Sequence, residues 1–454
     1  MVNVSESKLI HAAAVVTMND SNEIFSPGFV RLNGSTILEV GSGSPSARPG
    51  ELLQDFRDDI VLPGFVNTHH HIASSLLQGV DPSHLMQVGT VRDGSWLKMS
   101  IAFDEQQCLA GASLGYVQLL QSGVTTTTDS QSAWRGLFKL DGSLKAAQKS
   151  GLRVVFTAAF SNKTELIPKE YQLSISQAIH ELNRLRDAYQ TDRVKIEPEP
   201  LSLPRVTDEL VIALFRERNS LMAMHSTYSA EFDLWSRTEY GHPAIVHLEK
   251  LGVLDDSLLL AHPVHFDEDE IALLAKSGSA ASYCAVSNMH MGLALPDLTL
   301  FFSAGITVGL GLDHPNGSHD FYETMKTTLL TQRSLKRNQE VMSPMRVLEM
   351  ATKDGARALK IDRLVGSLEP GKIADLQVID GLSLQMQPAA GVVSQIVTAA
   401  KAQCVKHVMI DGVWHLSNYQ PVFLNIQEIT NQANAEQKYL LNMAGLPSGD
   451  RNTR

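Results

Sequence analysis

The stretch Asp59-Ile-Val-Leu-Pro-Gly-Phe-Val-Asn-Thr-His69-His70-His71 ends an apolar run with three consecutive histidines. On an extended chain, side chains two residues apart point the same way, so His69 and His71 can bind one metal ion together. A bare His-x-His pair is also common as a surface or packed pair. The pair therefore indicates a metal site only if further ligands occur elsewhere in the chain.

The middle of the chain alternates short apolar runs with helical segments, for example Asp104 to Gly123 and Asp208 to Arg218. Eight runs mostly lack polar alternation, as expected for parallel strands covered on both sides. They are Ile60–Val66, Val124–Thr128, Leu152–Ala158, Val194–Glu197, Leu221–His225, Leu258–His262, Ala280–Val286 and Ile306–Leu312. Eight repeats predict an α/β fold of the TIM-like (β/α)8 barrel type. A doubly wound open sheet is the alternative, although no Gly-x-Gly-x-x-Gly follows the first run.

Both ends of the chain contain short strands joined by tight turns. Asn33-Gly34 and Asp411-Gly412 are two-residue turn signals between apolar segments. We therefore predict a small composite β-sandwich domain from residues 1–57 and 367–425. It flanks a metal-dependent barrel of residues 58–366, and residues 426–454 are predicted to form a C-terminal helix and tail.

Further candidate ligands stand at the ends of later runs. In a (β/α)8 barrel the functional side chains lie at the carboxyl ends of the strands. His225 ends the fifth run, His262 ends the sixth and Asp313 follows the eighth. Each alone is compatible with a packed or turn residue. Together with His69 and His71 they predict one divalent transition metal ion, first of all Zn²⁺, with Fe²⁺, Co²⁺ or Mn²⁺ as alternatives.

Over essentially its whole length the sequence resembles the metal-dependent amidohydrolase superfamily. The resemblance is to the branch of triazine hydrolases, chlorohydrolases and guanine- or S-adenosylhomocysteine-type deaminases. The motifs that carry it are Leu62-Pro-Gly-Phe-Val-Asn-Thr-His-His-His71, Ser122-Gly-Val-Thr-Thr, Leu260-Ala-His262, Ser287-Asn288, Gly309-Leu-Gly-Leu-Asp313, Met350-Ala-Thr-Lys-Asp-Gly-Ala and Val365-Gly-Ser-Leu-Glu-Pro-Gly-Lys.

The resemblance implies that His69, His71, His225 and Asp313 hold a single metal ion. It also implies that Asp313 is the general base and that His262 polarises the substrate. The implied reaction is attack of metal-bound hydroxide on a carbon bonded to nitrogen, sulfur, oxygen or halogen in a small organic molecule. Relatives of this branch are often dimers or tetramers, so a homo-oligomer is expected.

One catalytic position departs from the branch. Its members usually carry a glutamate three residues after the fifth-strand histidine, where it shuttles a proton to the ring nitrogen or the leaving group. Here that residue is Tyr228. A phenol with an ordinary pKa of about 10 is a poor proton shuttle near neutrality, but it can donate a hydrogen bond or stack on a ring. Glu199, at the end of the fourth run, is the alternative acid, unless it is a solvated loop residue.

Loops are expected to form the substrate pocket. Trp96 follows the first run, and Asn288 and His290 follow the seventh, where the resembling enzymes place substrate contacts. For His290 a surface role is an equally open interpretation.

Charge and cysteine usage limit the partners. A net charge of -11 argues against nucleic acid or an anionic membrane as a partner. No apolar stretch reaches the roughly 20 residues of a membrane span, and no secretory signal is visible at the N-terminus. Three widely spaced cysteines indicate a reducing compartment. We therefore expect a cytoplasmic enzyme with a small-molecule substrate.

The leading hypothesis is a hydrolase of an amide, a carbamate or a heterocyclic C–X or C–N bond. One alternative is an aminohydrolase of a purine-, pterin- or triazine-like ring, and another is a non-hydrolytic lyase, decarboxylase or isomerase. A non-catalytic assembly protein that kept the fold is a third. The complete set of candidate ligands argues against that third alternative.

Overall fold

The computed structural model describes residues 7–80, 102–133, 138–163, 169–314 and 318–444. Within these ranges the strands are β1 (Ser7–Val16), β2 (Ile24–Phe25), β3 (Gly28–Asn33), β4 (Thr36–Ser42), β5 (Leu52–Pro63), β6 (Phe65–Asn67), β7 (Val124–Ser132), β8 (Arg153–Phe160), β9 (Val194–Pro200), β10 (Met222–His225), β11 (Leu258–Ala261), β12 (Ala280–Tyr283), β13 (Val308–Leu310), β14 (Leu376–Ile379), β15 (Val405–Ile410), β16 (Val413–Ser417) and β17 (Gln420–Pro421). They form two sheets, one parallel and one mixed.

Helices connect the strands. They are α1 (Glu105–Gln121), α2 (Lys139–Ser150), α3 (Ile175–Tyr189), α4 (Asp208–Glu217), α5 (Ala230–Tyr240), α6 (Ala244–Lys250), α7 (Glu268–Ser277), α8 (Ala285–His290), α9 (Leu298–Ser303), α10 (Phe321–Lys336), α11 (Pro344–Ala351), α12 (Lys353–Ala358), α13 (Val392–Thr398) and α14 (Ile426–Ala444). The helix α1 starts at Glu105, next to Asp104, where the helical segment was predicted to begin. Asp104 and Gln107 form a reciprocal capping box at this start. None of the helices in the described ranges has the length and hydropathy needed to cross a bilayer.

The parallel sheet contains eight strands in the order β10-β11-β12-β13-β6-β7-β8-β9. Every side chain of β8 is buried, and the other strands are buried over most of their length, which explains the unbroken apolar runs. A hydrogen bond also connects the two end strands of this order. The amide of His225, in β10, donates to the carbonyl of Leu201, directly after β9, at 3.0 Å. All eight predicted runs contribute a strand to this sheet.

Several predicted strand boundaries were wrong, and β7 and β9 run past their predicted ends to Ser132 and Pro200. The first run is split: β5 continues to Pro63 in the mixed sheet, and β6 begins after Gly64 in the parallel sheet. A Cβ at Gly64 would lie 2.1 Å from Cγ2 of Thr125 in β7, so glycine permits the passage between sheets. The run predicted to end at Val286 stops at Tyr283, because α8 begins at Ala285.

The mixed sheet joins the two ends of the chain. Its order is β17-β16-β15-β14-β5-β1-β3-β4, with β2 paired to β1. The N-terminal strand β1 pairs in parallel with β5, which pairs antiparallel with the C-terminal strand β14. The predicted turns at Asn33-Gly34 and Asp411-Gly412 connect neighbouring antiparallel strands. The exact domain boundaries stay a prediction, and β5 itself crosses the one proposed at residue 57.

A buried ion pair connects the two sheets. Arg153, at the start of β8, lies with its Nε 3.1 Å from Asp375 and with its Nη2 2.7 Å from Asp411. The side chains of Arg153 and Asp375 are only 5% and 1% exposed. Each charge therefore depends on its partner for compensation.

Replacing Arg153 with methionine is expected to lower the free energy of unfolding by about 3–5 kcal/mol, because Asp375 then becomes a buried, unpaired charge. Chemical denaturation of the variant measures this loss. Arg48→Met is the control, since the Arg48 side chain is largely exposed, and its unfolding midpoint should stay close to that of the wild type. Equal stability of Arg153→Met and wild type would contradict a structural role for the pair.

Candidate metal centre

Four predicted ligands meet where the parallel strands end. His69 and His71 follow β6, His225 is the last residue of β10, and Asp313 follows β13. One ligand atom from each of the four residues lies within 4.8 Å of the others. The carboxyl ends of neighbouring parallel strands share one edge of the sheet, so residues far apart in sequence converge here.

The separations within this cluster suit a small cation. Oδ1 of Asp313 lies 3.3 Å from Nε2 of His69 and 3.3 Å from Nε2 of His71. Nε2 of His71 lies 3.2 Å from Nε2 of His225. Bonds of about 2.0–2.1 Å to a tetrahedral ion place neighbouring ligand atoms about 3.3 Å apart. These three separations therefore match the spacing of ligands around such an ion.

Two of these atoms have no aligned hydrogen-bond partner among the described residues. They are Nε2 of His69 and Oδ1 of Asp313, and both are buried. Leaving a buried polar atom unsatisfied costs about 1–3 kcal/mol, and more for a charged group. A cation at their common centre would satisfy both atoms, so the residues fit a metal ion.

Backbone carbonyls orient two of the imidazoles. Nδ1 of His71 lies 2.8 Å from the carbonyl of Ser130, and Nδ1 of His225 lies 3.1 Å from the carbonyl of Leu201. A carbonyl only accepts hydrogen bonds, so each Nδ1 carries the hydrogen and each Nε2 presents a lone pair to the cluster.

The backbone around Asp313 is adapted to the site. Asp313 has a φ of 59°, in the left-handed region that non-glycine residues rarely adopt. A hydrogen bond joins Nδ1 of His70 to the Asp313 carbonyl. Two residues earlier, a Cβ on Gly311 would lie 2.6 Å from Sγ of Cys284 and 3.0 Å from Cβ of His69. Glycine at position 311 thus allows the backbone directly after β13 to lie close to Cys284 and His69.

His262 lies beside the cluster, with its ring centroid 5.2 Å from that of His69 and 5.8 Å from that of His225. Its Nε2 is 3.4 Å from Oδ2 of Asp313, and its Nδ1 is 2.8 Å from Oδ1 of Asn288. The hydroxyl of Ser287 donates to Oδ2 of Asp313 at 2.5 Å. Asn288, predicted as a substrate contact, is buried and orients His262. Its contact with substrate stays a prediction.

Three other candidate residues are Tyr228, His290 and Trp96. Tyr228 is partly buried in the loop before α5, and its ring centroid lies 5.5 Å from that of Phe232. His290 is exposed at the end of α8. Trp96 lies outside the described residues. Substrate contacts of His290 and Trp96 stay predictions.

Glu199 lies behind His225. It is 1% exposed, and its Oε1 is 3.0 Å from Nδ1 of His225. Its Oε2 accepts a hydrogen bond of 2.5 Å from the hydroxyl of Thr157. The structure therefore excludes the interpretation of Glu199 as a solvated loop residue.

The local electrostatics favour ionised carboxylates and a neutral His69. Burial lowers the pKa of His69 to about 3. Burial acts to raise the pKa of Glu199, but His225 outweighs it and lowers the pKa to about 2. For Asp313 burial also acts upward, but His262, His314 and His69 hold its pKa well below the ordinary value. Both carboxylates are therefore anionic and His69 is an electron-pair donor at neutral pH.

Protons and a cation compete for His71. Burial lowers its pKa, but Asp313 and Glu199 outweigh this effect and raise the pKa above the ordinary value. Since only the deprotonated Nε2 can bind a metal ion, acid should weaken metal binding.

Several contacts of the candidate ligands were not predicted from the sequence. The ring of His314 stacks on His71 with 4.2 Å between centroids and 20° between planes. Adjacency to Asp313 was the available signal for this residue. The carbonyls of Ser130 and Leu201 carry no signal, because a backbone acceptor has no residue preference.

Comparison with known proteins identifies related chains. Residues 60–415 match the sequence model described as the amidohydrolase family. The 5-methylthioadenosine/S-adenosylhomocysteine deaminase of Haloarcula marismortui is 27% identical over 413 residues, covering 89% of this chain and 92% of that protein.

Two solved structures share the fold. An adenosine deaminase from Xanthomonas campestris with bound zinc has a TM-score of 0.85 at 21% identity, covering 96% of this chain and 98% of that chain. The atrazine chlorohydrolase of Arthrobacter aurescens, complexed with zinc, has a TM-score of 0.88 at 21% identity, covering 95% of this chain and 100% of that chain. At this identity the likeness establishes the fold and not the substrate.

Proposed function

The chain belongs to the amidohydrolase family and is a hydrolytic enzyme, and we propose that it uses one divalent transition metal ion, zinc first of all, to hydrolyse a small organic molecule. The observation that carries the proposal is the convergence of His69, His71, His225 and Asp313, with two buried ligand atoms that have no aligned hydrogen-bond partner within the described ranges. Three imidazoles and one carboxylate are a typical ligand set for zinc and for other first-row transition metals.

We also propose that the parallel sheet closes into a (β/α)8 barrel. The supporting observations are the eight parallel strands and the hydrogen bond from His225 to Leu201 between the end strands. In a closed barrel the four ligands would share one rim.

Asp313 and His262 are assigned to proton transfer and substrate polarisation. When bound, the metal ion supplies a water molecule of lowered pKa and withdraws electrons from the substrate. The Asp313 carboxylate is held by Ser287 and is positioned to accept the proton of the attacking water. Nδ1 of His262 is engaged by Asn288, so its Nε2 is left to face Asp313 and the substrate.

The substrate class that we propose depends on Tyr228, because a phenol is a poor proton shuttle near neutral pH. Glu199, the alternative acid predicted from the sequence, is buried and contacts the ring nitrogen of His225 that faces away from the cluster. Substrates whose leaving groups need little acid assistance therefore suit this site best. We propose a carbamate, an amide or a heterocycle with an activated C–X bond.

An aminohydrolase of a purine-like ring is the second candidate. Its support is the deaminase of Haloarcula marismortui, which aligns with 89% of this chain. The two candidates differ in their need for an acid at position 228.

Tyr228→Glu is expected to raise ring deamination by about 10²-fold, because it introduces a proton shuttle beside the leaving amine. Turnover of an adenine nucleoside and of an activated aryl carbamate by wild type and variant measures the effect. Carbamate turnover should change little, and Tyr228→Phe is the matched control that keeps the ring without the hydroxyl. Efficient adenine deamination by wild type, abolished in Tyr228→Phe, would contradict the carbamate or amide assignment and support the second candidate.

A further inference from the structure

Glu199 is a buried carboxylate whose ion-pair partner in the described part of the chain is a histidine, His225. Its contacts are Nδ1 of His225 at 3.0 Å and the hydroxyl of Thr157 at 2.5 Å. Among the described residues, no lysine or arginine forms an ion pair with Glu199. A buried carboxylate of this kind is costly unless a positive charge lies nearby.

The hydrogen of His225 Nδ1 is directed to a different acceptor. The ring N–H donates to the carbonyl of Leu201 at 3.1 Å, and Oε1 of Glu199 has no aligned hydrogen bond of its own. The tautomer of His225 is therefore fixed by a backbone group that no substitution removes. The Glu199 carboxylate adds a negative charge beside the ring but does not determine the tautomer.

That charge lies behind a proposed metal ligand. A cation bound at Nε2 draws electrons from the imidazole and makes the ring more positive. A carboxylate 3.0 Å from Nδ1 stabilises this charge, and the effect is large because both groups are screened from water. We propose that Glu199 is a positioning residue that strengthens the hold of His225 on the metal ion by placing a fixed negative charge behind its ring.

This inference rests on the metal site of the proposed function and gives Glu199 a different role from a proton donor. The enzymes that the sequence resembles usually carry a glutamate three residues after the fifth-strand histidine. This chain has Tyr228 there and a carboxylate on the neighbouring strand, behind the same histidine. Two carboxylates, those of Asp313 and Glu199, therefore lie at this site. In this inference the Glu199 carboxylate acts on the proposed metal ligand His225.

The test is the Zn²⁺ affinity of Glu199→Gln, measured by competition with a chromophoric chelator at constant pH. Glutamine keeps the shape and removes the charge, so affinity should fall about 10- to 100-fold and release should become faster. Glu197→Gln is the matched control. It removes another buried carboxylate of β9, which accepts hydrogen bonds from the amides of Asn219 and Ser220 at 2.9 and 3.0 Å. Its affinity should equal that of wild type.

The outcomes separate this inference from the proposed function. A wild-type chain that binds no Zn²⁺ would refute the metal site itself. Wild-type binding together with an affinity of Glu199→Gln within about threefold of it would overturn only the role of Glu199. If Glu199→Gln fails to fold, Glu199→Asp takes its place. Its side chain is one methylene shorter, so the negative charge lies further from Nδ1 of His225. An affinity of Glu199→Asp equal to wild type would then overturn the inference, and an intermediate affinity supports it.

Discussion

Asp313→Asn is expected to reduce turnover by about 10²–10⁴-fold, the range that general acid–base groups contribute. The amide keeps the size of the carboxylate but can neither accept the proton of the attacking water nor supply a full negative charge to a cation. The variant should fold, because the backbone bonds of Asp313 to His69 and His70 do not involve its carboxylate. Steady-state kinetics on an activated carbamate, with metal content measured in the same sample, checks this expectation.

Ser287→Ala is the matched control for this substitution. It removes the 2.5 Å hydrogen bond to Oδ2 and leaves the Asp313 carboxylate in place. Loss of one hydrogen bond to a charged group corresponds to about 1.5–3 kcal/mol, so turnover should fall by no more than about 150-fold, near the lower end of the range expected for Asp313→Asn. Full activity of Asp313→Asn with bound metal would show that another group is the base.

Removal of the metal ion is expected to abolish turnover and to destabilise the chain. Without a cation, the anionic Asp313 lies 3.3 Å from the lone pair on Nε2 of the neutral His69. A ligand present at 100 times its dissociation constant stabilises a folded protein by about 2.7 kcal/mol. Dialysis against a chelator, followed by activity and thermal unfolding measurements, tests both effects.

Re-addition of metal supplies the control. Zn²⁺ should restore turnover and the unfolding midpoint. Mg²⁺ should restore neither, because it prefers oxygen ligands in octahedral geometry over imidazoles. Undiminished turnover in metal-free protein would show that the reaction does not require a metal ion.

The parallel sheet was predictable because its strands are buried on both faces and read as unbroken apolar runs. The cluster was predictable because the candidate ligands His225 and Asp313, and His262 beside them, each stand at the end of such a run. Boundaries were less predictable where one run serves two sheets, as between Pro63 and Phe65. A continuous apolar segment does not reveal where its hydrogen-bonding partners change.

The surroundings of the ligands were not predictable from the sequence. The direction in which Glu199 points depends on the stagger of β8, β9 and β10, which no local pattern encodes. The roles of the Ser130 and Leu201 carbonyls are likewise set by tertiary placement. The left-handed backbone of His262 and Asp313 is maintained by the fold against local preference.

The most direct test of the metal centre is the metal content of the purified full chain after loading with Zn²⁺ and extensive dialysis. We predict about one zinc ion per chain for wild type and less than about 0.1 for the double variant His69→Ala/His71→Ala, which lacks two of the four ligands. Equal zinc content in both proteins, or a wild type that retains none, would contradict a metal ion held by these residues.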